Sequence, residues 1–135
     1  IGICNGFQIL IESGILPGAL ITNKSTKFIS KSVSLKVETH DTVFTKKIPL
    51  NKKLKMPIAH KQGNYIAKKD TIKKLEDNNQ IVFKYVDNPN GSVSDIAGIT
   101  NKNKNVLGLM PHTEIASENI LGSDDRKLIF ESILG

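Results

Sequence analysis

The spacing of apolar and polar positions changes several times along the chain, and each change predicts an element. After Cys4, apolar residues fall at Phe7, Leu10 and Ile11, the i, i+3, i+4 spacing of one helix face. Gly14 is placed to cap that helix, and Pro17-Gly18 closes the connection. Val33, Leu35 and Val37 alternate with Ser34 and Lys36, which predicts a strand. Residues 42–45 read as a second short strand, and residues 54–60 and 64–67 as a further pair. Asp70 is placed to cap a helix reaching Asp77, with Ile72 and Leu75 on its inner face. Ile81-Val82-Phe83 forms the core of a strand, and Asn88-Pro89-Asn90-Gly91 is a turn. Residues 96–100 and 106–110 read as two strands around a polar turn. Ser123 is predicted to cap a last helix with Asp124 and Asp125 in its first turn, and Leu128, Ile129 and Ile133 facing inward. The sum is an α/β chain with helices at both ends and a β-rich middle, without repeats or low-complexity linkers.

Composition narrows the class. At 135 residues the chain has the size of one domain and can bury a core, and 39% hydrophobic with 24% charged residues is a globular balance. The single cysteine excludes an internal disulfide framework and suits a reducing compartment, so a cytoplasmic location is expected. No apolar run has the length of a membrane span, so no membrane partner is expected. The net charge of +6 is carried almost wholly by Lys, with Arg126 the only Arg. Aromatic residues are 5% with no Trp, which leaves little for bases to stack on. The lysines are scattered in pairs (46-47, 52-53, 68-69, 73-74), the pattern of a solvated surface; no nucleic-acid partner is expected. No two histidines have metal-ligand spacing and there is one cysteine, so no metal site is expected. No phosphate loop of the Gly-x-x-x-x-Gly-Lys-Ser/Thr type is present, so this chain has no ATP site of that kind.

The candidate chemistry begins at the first residues, Ile1-Gly2-Ile3-Cys4-Asn5-Gly6-Phe7-Gln8. Cys4 sits between two glycines, after an apolar stub and before a helical pattern, which is the signature of a nucleophile elbow. Such a turn is crowded, and side chains at Gly2 or Gly6 are expected to clash with neighbouring elements. The elbow also places Cys4 at a helix N-terminus, where unpaired N–H groups favour a thiolate. A nucleophilic cysteine needs a base and a group to orient that base. Residues 106–110 form an apolar strand that ends in Pro111-His112-Thr113-Glu114. Residues i and i+2 of extended chain point the same way, so Glu114 is placed to hold the His112 imidazole. Both Cys4 and His112 then follow strands at their C-terminal ends, where active sites of parallel α/β sheets collect. His40, beside Asp41, reads as an exposed turn residue. His60 ends the apolar run Met56-Pro57-Ile58-Ala59 and competes with His112 as a site residue, more in a supporting place than as the base. Because the chain opens on the end of its nucleophile strand, residues 1–135 read as the C-terminal part of one longer domain. The alternative from another class is a lysine-rich, non-catalytic interaction module whose cysteine is structural.

Gly-Ile-Cys-Asn-Gly-Phe-Gln together with Gly-Leu-Met-Pro-His-Thr-Glu resembles the class I (triad) glutamine amidotransferases. Within them the chain is most similar to the glutaminase subunits of phosphoribosylformylglycinamidine synthases of purine biosynthesis. Supporting stretches, in the family's order, are Leu16-Pro17-Gly18-Ala19, Pro57-Ile58-Ala59-His60, Asn78-Asn79-Gln80-Ile81 and residues 90–98. The resemblance implies a flavodoxin-like sheet with helices, and a Cys4–His112–Glu114 triad that hydrolyses glutamine. It implies an oxyanion contact from the Asn5 N–H and substrate binding by Gln8, and His60 is expected among the substrate-binding residues. The ammonia would pass to a large synthetase subunit, which uses ATP and Mg, with a small bridging subunit between them; no cofactor is implied in this chain. The alternatives within enzymes are another triad amidotransferase or a γ-glutamyl hydrolase. Two departures stand out. The family's His-Pro-Glu-Arg is His112-Thr113-Glu114-Ile115 here, and its His-Gly-Glu-Gly is His60-Lys61-Gln62-Gly63.

Overall fold

The computed structural model describes residues 1–112 and 123–135. The elements run β1 (Gly2–Ile3), α1 (Asn5–Glu12), β2 (Ala19–Ile21), β3 (Ile29–Val37), β4 (Lys53–His60), β5 (Asn64–Ile66), α2 (Lys69–Asp77), β6 (Ile81–Tyr85), β7 (Ile96–Thr100), β8 (Leu107–Leu109) and α3 (Ser123–Leu134). Among the described residues, six strands form one mixed sheet in the order β1-β8-β7-β6-β3-β4, and β2 pairs with β5 in a small ribbon. The α/β class read from the sequence holds. Among the described residues parallel pairing is confined to β1 and β8, with Gly2 opposite Gly108 and Ile3 opposite Leu109; the other pairs are antiparallel.

The sheet separates two apolar clusters. On one face Phe7 of α1 and Ile72 and Leu75 of α2 pack with Tyr65, Ile81, Ile96, Ile99 and Met110. On the other, Leu35, Leu54, Met56, Ile58, Val82 and Leu109 pack with Phe44, Ile48 and Ile129 of α3. Every residue of β7 is buried, as in a central strand covered on both faces. The alternation in β3 is real, with Val33 and Leu35 buried and its neighbours more exposed.

Several local expectations need correction. Residues 42–45 form hydrogen-bonded turns rather than a strand, because the Thr42 and Thr45 hydroxyls bond to one another and Thr45 donates to the Thr39 carbonyl. The segments 54–60 and 64–67 do form strands, but they do not pair together. β4 pairs with β3, and β5 with β2. Asp70 lies in the first turn of α2 and not at its cap, which is Lys68. Gly14 stands one residue beyond the C-cap Ser13, with φ +82°. α3 is described from Ser123, and the residues that precede it lie outside the described residues. Ile129 is fully buried and Leu128 packs on the core, whereas Ile133 remains 40% exposed.

Candidate active site

The parallel pair β1–β8 builds the site. Both strands run the same way, so the residues that follow them emerge at one sheet edge. Cys4 follows β1 and donates its N–H to the Leu109 carbonyl at 2.9 Å, which continues the ladder by one residue. Beyond β8, the chain carries Met110, Pro111 and His112 to the same edge, and the His112 N–H is held by the Pro57 carbonyl at 2.9 Å. Cys4 and His112, remote in sequence, line one cavity of about 580 Å³ with Ile3, Asn5, Gln8, Phe28, Ala59, His60, Lys61 and Gln62. The placement anticipated for these two residues is therefore present in the fold.

The elbow is strained. Cys4 has φ 53° and ψ −105°, a region that L-residues rarely occupy and that costs about 1–3 kcal/mol. It is the N-cap of α1 and so stands at the helix end that carries the unpaired first-turn N–H groups. Asn5 is the first helical residue, and its N–H belongs to that set. The Cys4 Sγ lies 3.9 Å from the Ala59 carbonyl oxygen. The glycines behave differently from one another. A Cβ at Gly2 would come within 2.6 Å of Leu10 Cδ1 and 2.7 Å of the Gly6 carbonyl oxygen, so close packing there does require glycine. A Cβ at Gly6 meets nothing within 4 Å among the described residues, so the clash expected at that position is absent.

Gln8 reaches the cavity one turn into α1, and its side-chain amide donates to Glu12 Oε1 at 3.1 Å. Glu114, Thr113 and Ile115 lie outside the described residues. His40 is half-buried, not exposed, and lines a separate cavity with Val37, Glu38 and Leu50.

His60 is only 4% exposed and sits at the end of β4, on the buried face shared by Leu54, Met56 and Ile58. Burial lowers its pKa to about 4, and proximity to His112 pushes the same way. Around it stands a polar network that sequence reasoning missed. Asn90 Nδ2 lies 3.1 Å from His60 Nε2 and 3.4 Å from the Tyr85 hydroxyl. Asn90 Oδ1 accepts from the Ser92 N–H at 3.1 Å. Asn23 binds the carbonyls of His60 and Lys27 and accepts from the Gly63 N–H. Burial holds the Tyr85 hydroxyl protonated well above its usual range, against the opposing hydrogen bond from Asn90, and nearby Cys4 adds to the rise. A period-2 count from Leu54 would have placed His60 on the inner face. The reach of Asn90 to it, across thirty residues, has no sequence signal.

Residues 1–127 match the CobB/CobQ-like glutamine amidotransferase domain family. This chain belongs to that family. A solved structure of PurLQS from Thermotoga maritima is similar to it, at 48% identity over 98% of this chain with a TM-score of 0.85. The chain spans 59% of the length of that protein's chain. The amidotransferase fold thus has its cavity at the β1–β8 edge. No described helix is long and apolar enough to cross a membrane, and among the described residues no three potential metal ligands converge.

Proposed function

We propose that this chain hydrolyses glutamine to glutamate and ammonia, as the glutaminase subunit of a phosphoribosylformylglycinamidine synthase. The observation that carries the reading is the parallel β1–β8 pair, which brings a strained cysteine at a helix N-terminus and a strand-end histidine to one cavity. The similarity to PurLQS supports the place in purine synthesis.

In this mechanism His112 takes the Cys4 thiol proton, and the thiolate attacks the carboxamide carbon of glutamine. The oxyanion of the tetrahedral intermediate is met by the Asn5 N–H. The intermediate collapses as His112 returns the proton to the departing ammonia, leaving a thioester on Cys4. Water, deprotonated by His112, then releases glutamate and restores the thiol. Glu114 orients the His112 imidazole, and Gln8 holds the amino-acid end of the substrate. Ammonia passes to the large synthetase subunit in the cytoplasm, with a small subunit bridging the two, and that partner spends the ATP and Mg²⁺. This chain needs no cofactor for its own step.

An electrophilic glutamine analogue, a diazo-ketone, tests the reading in the intact protein mixed with its synthetase partner. One adduct on Cys4 by mass spectrometry, blocked by excess glutamine, is the expected result. A folded assembly with no adduct on Cys4 would sink it.

A further inference from the structure

The end of β4 forms the third wall of the cavity, and it touches both reacting residues through its backbone. The Pro57 carbonyl holds the His112 N–H, and the Ala59 carbonyl faces Cys4 Sγ. The next residue, His60, adds a side-chain anchor to the hold that β3 and Asn23 have on this strand end through its backbone. Among the described residues its side-chain hydrogen-bond partner is Asn90, from the turn after β6.

The hydrogen bonds decide the form of that imidazole. The Ser92 N–H can only donate, so the atom of Asn90 facing it is the carbonyl oxygen. The NH₂ group of Asn90 therefore faces His60 Nε2, which must accept. The proton of the neutral ring then resides on Nδ1, a buried atom with no acceptor among the described residues. A buried donor without a partner costs about 1–3 kcal/mol, and one that persists calls for a reason. Space around the ring is equally restricted: a Cβ at Gly63 would overlap His60 Nε2 and Cδ2. The titratable groups near the ring are Cys4, His112 and Lys61, which share its cavity, and Tyr85, which shares Asn90; the 88–92 turn brings Asn90 and Ser92.

We propose that His60 is a positioning residue of the glutaminase centre. The Asn90–Ser92 tether holds it as a neutral, Nδ1-protonated imidazole, and so keeps the carbonyls of Pro57 and Ala59 against His112 and Cys4. An uncharged ring in this place leaves His112 as the histidine of the cavity that gains and loses a proton. A second imidazolium beside it would oppose the charge that His112 takes up during turnover. The inference rests on the glutaminase reading, since only there does the separation of the two histidines matter.

The test has a spectroscopic and a kinetic arm, both on the intact protein assembled with its synthetase partner. Histidine ¹⁵N NMR, with His60 assigned by His60→Gln, is expected to show an imidazole protonated on Nδ1 and still neutral at about pH 5. A ring protonated on Nε2, or one that titrates like a free histidine, would overturn the proposal. In glutamine hydrolysis His60→Ala is expected to lower kcat roughly tenfold to a hundredfold and to leave KM within about twofold. His60→Gln, whose amide can accept from Asn90, is expected to recover most of that loss. A rise in KM at constant kcat would instead make His60 a substrate contact and overturn the positioning role. Should His60→Ala fail to fold, Asn90→Asp serves the same purpose. A carboxylate facing Nε2 draws a proton onto it, moving the titration up by about one unit or more, and an unmoved titration overturns the tether. If the wild-type assembly hydrolyses no glutamine, the glutaminase reading itself fails, while the NMR arm still decides the tautomer.

Discussion

At the residue scale, two histidines in one cavity differ because their surroundings differ. His60 is buried among Asn90, Gly63 and Tyr85, and its folded-state pKa is about 4 against 6.5 for the free side chain. Between those values the unfolded chain binds a proton that the folded chain refuses, so stability rises with pH through this window. It is complete above the unfolded value and is lost as pH falls toward 4. From pH 7 to pH 5 this group is expected to cost about 2 kcal/mol, which His60→Gln removes. Urea midpoints of both proteins at the two pH values measure it, and equal slopes would mean that His60 titrates normally in the fold. The glycines make the same point about surroundings. Gly2 and Gly6 look alike as flanks of Cys4, but only at Gly2 does a neighbour, the Gly6 carbonyl, occupy the space of a Cβ. Motif spacing marks the elbow without saying which glycine is crowded.

At the scale of elements, the site depends on how closely α1 lies on β8. Gly108 is the contact point: a Cβ there would overlap Phe7 Cδ1 and come within 2.7 Å of Leu16 Cδ1. Phe7 cannot retreat, since its ring stacks on Tyr65 at a centroid distance of 5.8 Å, and Tyr65 is itself bonded to the Pro17 carbonyl. Gly108→Ala is therefore expected to lower stability by about 1–3 kcal/mol through overpacking, and to reduce glutamine hydrolysis by shifting the start of α1 and Cys4 with it. Thermal unfolding and Cys4 labelling rate report the two effects; an unchanged protein would mean that α1 has room to move. Helix α1 and strand β3 were legible because their apolar period follows their burial, and β7 and β8 because short, largely apolar runs suit strands buried throughout. The pairing of β4 with β3, rather than with β5, was not. A strand's alternation fixes which face is buried but names no partner.

At the scale of the molecule, α3 packs on the face of the sheet that carries Leu54, Met56 and Ile58. Ile129 fills the core there, and Asp125 ties the helix to β4 by accepting from the Lys55 N–H at 2.9 Å and pairing with Lys52 at 3.1 Å. Ser132 accepts from the Lys47 N–H at 3.0 Å. Asp125 is nearly buried, so its bond to the backbone counts for more than the half-exposed lysine pair. Asp125→Ala is expected to destabilise the protein by about 1.5–3 kcal/mol while leaving the cavity residues in place. Denaturant unfolding tests the first part, and Cys4 labelling of the folded variant tests the second. A variant as stable as the wild type would show that α3 is held by Ile129, Leu128 and Ser132 without Asp125.

The sequence by itself determined the α/β class, the candidate nucleophile and its candidate base, and most apolar segments. These depend on residue type, local spacing and the punctuation of glycine and proline, which act over a few residues. It also carried the family resemblance. Only the tertiary structure decided that β1 and β8 are the parallel neighbours, that β4 supplies the carbonyls beside Cys4 and His112, and that Asn90 stands against the His60 ring. Each of these is a contact between segments far apart in the chain. Such contacts are selected by the shape and burial of the whole core, and no local pattern encodes them.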